Sequence, residues 1–281
     1  MTESITQTVR HALAEDVGSG DISAALIPAS ARSEAVVICR EAAVLCGTAW
    51  FDEVFRQLDN TISVTWHVHD GDAMPANQRL CSVNGPSRSL LTGERTALNF
   101  LQTLSGTATL ARRYADAVRG TDVRILDTRK TLPGLRAAQK YAVVCGGCYN
   151  HRQGLYDAIL IKENHILAAG SIIAAVRSAK TSAPHDLLIE VEVETLDQVI
   201  EVLAAGAKRL LLDNFTLENL TRAVQLVKGR AELEASGGIT LSNVRAIAET
   251  SVDYISVGEL TKHVRAIDLS MRFSPFAARP Q

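Results

Sequence analysis

The chain has 281 residues, of which 47% are apolar and 21% charged, with a formal net charge of −2 and five cysteines. That length suits one large domain or two modest ones; the near-neutral charge gives no field to draw in nucleic acid, and no apolar run reaches the roughly 18 residues needed to cross a bilayer. The N-terminus lacks the apolar stretch of a secretory signal and the odd, scattered cysteines do not form a secreted framework, so a soluble cytoplasmic protein is expected, with anionic ligands held by locally placed Arg and Lys.

Residues 1–85 mix short strands and helices. SEAVVICR and ISVTWHVH carry the β-branched and aromatic residues of strands. WFDEVFRQL between them has helical apolar spacing, and DGDAMPANQ after them has loop composition. NGPS near residue 86 breaks the pattern. A long helix is predicted from about Leu90 to Arg119, with Leu91, Leu98, Leu101, Leu104 and Leu110 on one buried stripe. From Val123 on, apolar runs (VRILD, DAILIK, LLIEVEVE, RLLLD, AELEAS, DYISVG) alternate with helical segments (GSIIAAVRSAK, LDQVIEVLAAG, LENLTRAVQLVKG, LSNVRAIAET). Ser171 is placed to cap a helix, and Gly206 and Gly229 to end two. Such alternation builds right-handed βαβ units. The predicted fold class is α/β: an N-terminal domain over 1–118 including the connecting helix, then an incomplete TIM-like barrel over 119–265, with the tail 266–281 packing back on the first domain. Neither glycine-rich nucleotide fingerprint occurs.

The predicted strands end in polar residues: Asp127-Thr128-Arg129-Lys130, Lys162-Glu163-Asn164-His165, the alternating Glu190, Glu192 and Glu194, Asp213-Asn214, Ser236-Gly237-Gly238, and Ser256-Val257-Gly258. In a parallel barrel these ends share one mouth, where such folds place their chemistry. Buried charge on successive strands is too costly unless it meets a ligand or another charge. Arg129, Lys130, Arg152 and Lys162, with His151 and His165 as helpers, suit carboxylates and phosphates. Glu192 and Asp213 suit a divalent cation or sugar hydroxyls. Ser236-Gly237-Gly238, before a helix predicted to begin near Leu241, suits a phosphate. The expected ligand therefore has several anionic groups, a sugar and a metal.

The same segments resemble the quinolinate phosphoribosyltransferases. The matching stretches are EDVGSGDIS, GERTALNFLQTLSG, ILDTRKTLPGLRAAQKYAV, CGGCYNHRQGLYDAILIKENHI, IEVEVETL, LLLDNF, EASGGITLSNVRAIAETSVDYISVG and IDLSMRF, in the family's order from Glu15 to Phe273. The resemblance implies an N-terminal α/β sandwich domain before the barrel and a homodimer, or higher oligomer, with shared active sites. It implies conversion of quinolinate and 5-phosphoribosyl 1-pyrophosphate to nicotinate mononucleotide, pyrophosphate and CO2, in NAD biosynthesis, with Mg2+ as cofactor. By the same resemblance Arg129, Arg152 and Lys162, with His151 nearby, hold the two quinolinate carboxylates, and Thr128 and Lys130 line the same pocket. Arg95 is inserted from the partner subunit, Glu192 and Asp213 hold the ribose hydroxyls and Mg2+, and Ser236, Gly237, Gly238 and Gly258 line the 5′-phosphate end. Lys130, Lys162, Glu192 and Asp213 are the expected catalytic residues.

Two positions depart from the family pattern. Cys148 replaces a glycine and makes a C-x-x-C with Cys145; without further ligands this is read as a small residue filling a small space rather than as zinc or redox chemistry. Glu259 stands where a small residue is usual, which puts the shape at Gly258 in question. A related phosphoribosyltransferase associated with molybdenum transport, a barrel aldolase using Lys130 or Lys162 as a Schiff base, and a non-catalytic phosphate-binding module remain as alternatives.

Overall fold

The computed structural model describes residues 2–184 and 187–274. The chain forms two compact units: one comprises the chain up to Arg112, residues 132–147 and everything from His263 onward, and the other comprises 113–131 with 148–262.

The first unit begins with α1 (Thr2–Val17), a short 3-10 turn (Ser23–Leu26), β1 (Arg32–Cys39), β2 (Ala43–Val44), α2 (Thr48–Leu58), β3 (Ser63–Trp66), β4 (Ala73–Met74), β5 (Arg79–Pro86) and α3 (Ser87–Ala117), whose end from Arg113 on belongs to the second unit. Alternation makes β1 a one-sided strand: Ala35, Val37 and Cys39 are buried, and the residues between them are not. In α2, Trp50, Phe51, Val54 and Phe55 fall on one face. Phe51 packs edge-on to Phe55 at 5.1 Å and to Trp66 at 5.2 Å, geometry worth about 0.5–1.5 kcal/mol per pair beyond the area buried. The buried stripe of α3 runs through Leu90, Ala97, Leu98, Leu101, Leu104 and Ala108. Leu91 and Leu110 are only half-buried; the apolar face turns slightly from the predicted line, and small alanines complete it.

β5 was not predicted, because its Asn84-Gly85-Pro86 end has turn composition. It is nevertheless a central strand of the antiparallel sheet β12-β1-β5-β3 once β12 (Leu269–Phe273) is added. Tail strand β12 pairs antiparallel with β1, from Ala35↔Phe273 to Cys39↔Leu269. Residues 275–281 of the predicted tail lie outside the described residues.

The second unit carries six parallel strands: β6 (Arg124–Leu126), β7 (Ile159–Ile161), β8 (Ile189–Val193), β9 (Arg209–Asp213), β10 (Glu232–Ser236) and β11 (Tyr254–Ser256). Their order is β6-β11-β10-β9-β8-β7. Sequence-adjacent strands are neighbours from β7 round to β11, and β6 follows β11, so the sheet curls as a TIM-like barrel with its seam between β6 and β7. An isolated bridge, Leu126↔Tyr149, lies beyond β6. Helices α5 (Glu163–Ala169), α6 (Ile172–Ser182), α7 (Leu196–Ala204), α8 (Leu217–Val227) and α9 (Val244–Ala248) connect the strands, and α10 (Glu259–Lys262) follows β11. Ser171 caps α6 by accepting the Ala174 N–H at 3.1 Å. The helix α4 (Arg136–Cys145) between β6 and β7 belongs to the first unit, where Ala138 and Ala142 enter the core. The predicted single boundary near 118 is therefore replaced by a chain that enters the barrel, leaves it for residues 132–147, and returns.

Candidate active site

Parallel register sets which side chains share the barrel interior. Glu190 pairs with Arg209 and Glu192 with Leu211 across β8 and β9; Glu234 pairs with Leu211 and Ser236 with Asp213 across β9 and β10. Counting by twos puts Glu190, Glu192, Asp213, Glu234 and Ser236 on the same inward face. Toward the strand starts, Arg209 lies 4.1 Å over the Tyr254 ring and donates to Glu232 at 2.7 Å. That layer fills the barrel with paired charge.

The predicted cations follow β6 and precede or end β7. Thr128 accepts the Lys130 N–H at 3.1 Å, and Thr261 donates to the Lys130 carbonyl at 2.9 Å, which fixes the turn that presents Lys130 to solvent. A Cβ on Gly258 would stand 3.3 Å from the Lys130 side chain, so Gly258 leaves room for Lys130 and Thr128 as well as for any phosphate. Glu259 does not intrude there: its carboxylate accepts the Tyr114 hydroxyl at 2.6 Å. Arg152 donates to the Ala158 carbonyl at 3.2 Å; burial and then the nearby Arg129 guanidinium lower its pKa. Glu190 and Asp157 act on the same guanidinium in the opposite sense.

Lys162 Nζ is ion-paired with Glu192 across the ends of β7 and β8; the Lys162 side chain is 48% exposed and that of Glu192 18%. His165 does not turn into the mouth; its Nδ1 accepts the Lys162 N–H at 3.0 Å in a capping box at the start of α5. Asp213 accepts from the Asn214 amide at 2.8 Å. Asn214 in turn donates its backbone N–H to the Ser236 carbonyl at 2.9 Å. Gly237 has φ +93°, and a Cβ there would meet Asn214 Oδ1 at 2.1 Å. Only glycine fits, so the end of β10 lies directly against the end of β9. The helix predicted near Leu241 starts later, at Val244; residues 238–243 are a turn in which Asn243 donates to the Gly238 carbonyl at 2.9 Å.

His151 is expected near the cations that would hold the carboxylates. Its ring points to two buried glutamates, with Nε2 3.0 Å from Glu190 and 3.4 Å from Glu234. Asp127, fully buried, accepts the His151 N–H at 2.9 Å. Burial lowers the basicity of the ring, but Glu190 and Glu234 outweigh it and pull its pKa up to about 9. Against that, Nδ1 accepts the Arg152 N–H at 2.8 Å; a proton on Nδ1 would set two donors head to head. The direct contact decides: the ring is neutral with Nε2–H facing the glutamates, and burial pushes the Glu190 carboxyl up so that it can hold a proton. His151 thus positions Arg152. Glu234 was missed in the sequence, although its position two before Ser236 places it on the same face.

Of the predicted site residues, Thr128, Arg129, Lys130, His151, Arg152, Lys162, Glu192, Asp213, Ser236, Gly237, Gly238 and Gly258 all belong to the second unit. Arg95 is in the first, exposed on α3. No helix among the described residues is long and apolar enough to cross a membrane.

Two family models match consecutive parts of the chain: quinolinate phosphoribosyl transferase, N-terminal domain, over residues 21–105, and its C-terminal domain over 107–272. The nicotinate-nucleotide pyrophosphorylase (carboxylating) of Mycobacterium leprae is 44% identical over 278 residues, covering 96% of this chain and 97% of that protein. The chloroplastic enzyme of the same name from Arabidopsis thaliana is 40% identical over 96% of this chain and 83% of its own length. The structure of nicotinate-nucleotide pyrophosphorylase from Francisella tularensis superposes with a TM-score of 0.94 at 46% identity, covering 98% of this chain and 97% of that one.

Proposed function

The chain belongs to the quinolinate phosphoribosyltransferase family, and from that premise we propose how its own residues divide the work. The enzyme is a pentosyltransferase of NAD synthesis that joins quinolinate to 5-phosphoribosyl 1-pyrophosphate with loss of CO2. The observation that carries the assignment of roles is the separation of charge at the barrel mouth: Arg129, Lys130, Arg152 and Lys162 gather at the ends of β6 and β7 and on the segment between them, while Glu192 and Asp213 end β8 and β9.

Arg129 and Arg152 clamp the two adjacent carboxylates, and Lys162 exchanges its Glu192 partner for one of them. Glu192 and Asp213 hold the ribose hydroxyls. Their oxygen donors also fit Mg2+, which takes few protein carboxylates and completes its shell with substrate phosphate; held by Glu192 and Asp213, it would neutralise charge on the pyrophosphate. Lys130 faces the charge that develops as pyrophosphate leaves the ribose C1. The 5′-phosphate rests on the backbone of Ser236, Gly237 and Gly238, where the two glycines carry no side chain to hold it off. The pyridine nitrogen bonds to C1, and the positive ring then takes the electron pair released when the neighbouring carboxylate departs as CO2; that carbon ends with a proton. No side-chain nucleophile is required, so rate comes from positioning and fixed charge.

Arg95 is proposed to complete the site of a second subunit in a cytoplasmic homodimer, since it is exposed on a helix of the first unit and every other site residue lies in the second. Incubating the protein with quinolinate, phosphoribosyl pyrophosphate and Mg2+ should yield nicotinate mononucleotide and CO2 in equal amounts. Phosphoribosyl transfer without CO2 release would reject this assignment of roles.

A further inference from the structure

A second cluster of reactive side chains lies wholly in the first unit. The Cys46 and Cys145 sulfurs and a carboxylate oxygen of Asp70 all lie within 4.8 Å of one another. Asp70 is already committed: it accepts the N–H groups of Gly47 and Thr48, at 3.1 and 3.2 Å, at the start of α2, and the Tyr141 hydroxyl at 2.9 Å. That leaves the two sulfurs facing each other. Both are held by their surroundings. Ser105 accepts the Cys46 N–H at 2.9 Å and donates to its carbonyl at 3.1 Å. Cys145 is the last residue of α4, and Arg112 donates to the next carbonyl, that of Gly146, at 3.0 Å.

The two thiols are unequal. Cys46 is fully buried and Cys145 is partly exposed. Burial pushes the Cys46 thiol up, whereas a hydrogen bond from Cys46 holds Cys145 below the ordinary thiol range. An accessible, more acidic sulfur beside a buried one is the arrangement in which the first is oxidised and the second resolves it.

We propose that Cys46 and Cys145 are a thiol modification site that closes to a reversible disulfide on exposure to hydrogen peroxide. The Cys145 thiolate attacks one peroxide oxygen; the O–O bond breaks, giving a sulfenic acid and a hydroxide that takes up the proton lost by Cys145. The Cys46 sulfur then attacks the sulfenic sulfur; the S–O bond breaks, and the departing hydroxide leaves as water with the Cys46 proton. Two thiols and one peroxide become one disulfide and two waters, with two electrons passing from sulfur to oxygen. The C-x-x-C neighbour of Cys145 in sequence is not its partner: Cys148 is buried in the other unit.

The full-length protein is treated with one equivalent of peroxide, blocked with an alkylating agent and digested with trypsin without reduction. The expected product joins residues 41–56 to 141–152 with the loss of two hydrogens, and dithiothreitol reverses it. Because the second peptide carries both Cys145 and Cys148, fragmentation assigns the sulfur: the link survives in Cys148→Ser and disappears in Cys145→Ser. The oxidised protein melts at a higher temperature than the reduced one, since the link closes a loop of about 100 residues. A Cys145–Cys148 bond, sulfinic acid at Cys145 beside an intact Cys46 thiol, or unreacted thiols would each overturn the proposal. So would stoichiometric zinc that shields both sulfurs and is lost in Cys46→Ser.

Discussion

Lys162 and Glu192 face each other across the ends of β7 and β8 as an ion pair at the barrel mouth. With Lys162 half exposed, the pair adds no more than about 1 kcal/mol to folding. Glu192→Ala should therefore leave urea stability nearly unchanged. It should keep or strengthen quinolinate binding, because Lys162 loses its competing anion, while use of phosphoribosyl pyrophosphate with Mg2+ collapses. Asp213→Ala should share the second effect only. Titration calorimetry on both variants tests this; selective loss of quinolinate affinity would show the roles reversed.

Nicotinate, with one carboxylate, should be a very poor substrate. Leaving one member of a desolvated charge pair unmatched costs about 2–5 kcal/mol. Comparable kcat/KM for nicotinate and quinolinate would remove the basis for the two-carboxylate clamp.

Gly237→Ala forces a side chain into a φ of +93° and into Asn214 Oδ1. A loss on the order of 1–3 kcal/mol is expected from the backbone alone, with a higher KM for phosphoribosyl pyrophosphate as Asn214 and Asp213 are pushed aside. An unchanged KM would mean that the ends of β9 and β10 do not shape the sugar-phosphate site.

His151 offers a pH test. An imidazolium with a folded pKa near 9, against 6.5 unfolded, would stabilise the protein below 6.5 and lose that stability as pH rises through 9. The neutral ring predicts no such loss: the stability difference between wild type and His151→Gln should stay flat over that window. Nitrogen NMR at neutral pH should show a proton on Nε2 and none on Nδ1. A fall in the difference, or two protonated nitrogens, would favour the charged form.

Arg95→Ala and Lys162→Ala should each be nearly inactive. In a two-fold dimer with shared sites, a mixed dimer has one site with both defects and one with neither. Co-expression should restore substantial activity. Mixed dimers that form and stay inactive would place Arg95 in its own subunit's chemistry.

The barrel was the most legible part of the sequence. The short barrel strands read as mainly apolar runs, and the polar residues that end them are the proposed site. The N-terminal sheet was less so, since Gly85 and Pro86 disguise β5 and only tertiary pairing makes it central. Alternation of strand and helix could not show that α4 leaves the barrel, because leaving and covering have the same local pattern. Glu234 was hidden in AELEAS by its apolar neighbours, and the contact of His151 with Glu190 and Glu234 was hidden because the two glutamates come from distant strands.

The pairing of β1 with β12 has a consequence for synthesis. Val37 sits against Met271, so the outer edge of β1 stays unpaired until almost the whole chain has been made. The first unit to emerge is thus the last to be finished, and it waits through the manufacture of the barrel with an adhesive strand edge uncovered. Premature termination between Lys262 and Leu269 should release a barrel with all its strands attached to a sheet that seeks a partner, and aggregation rather than loss of chemistry would be its first symptom.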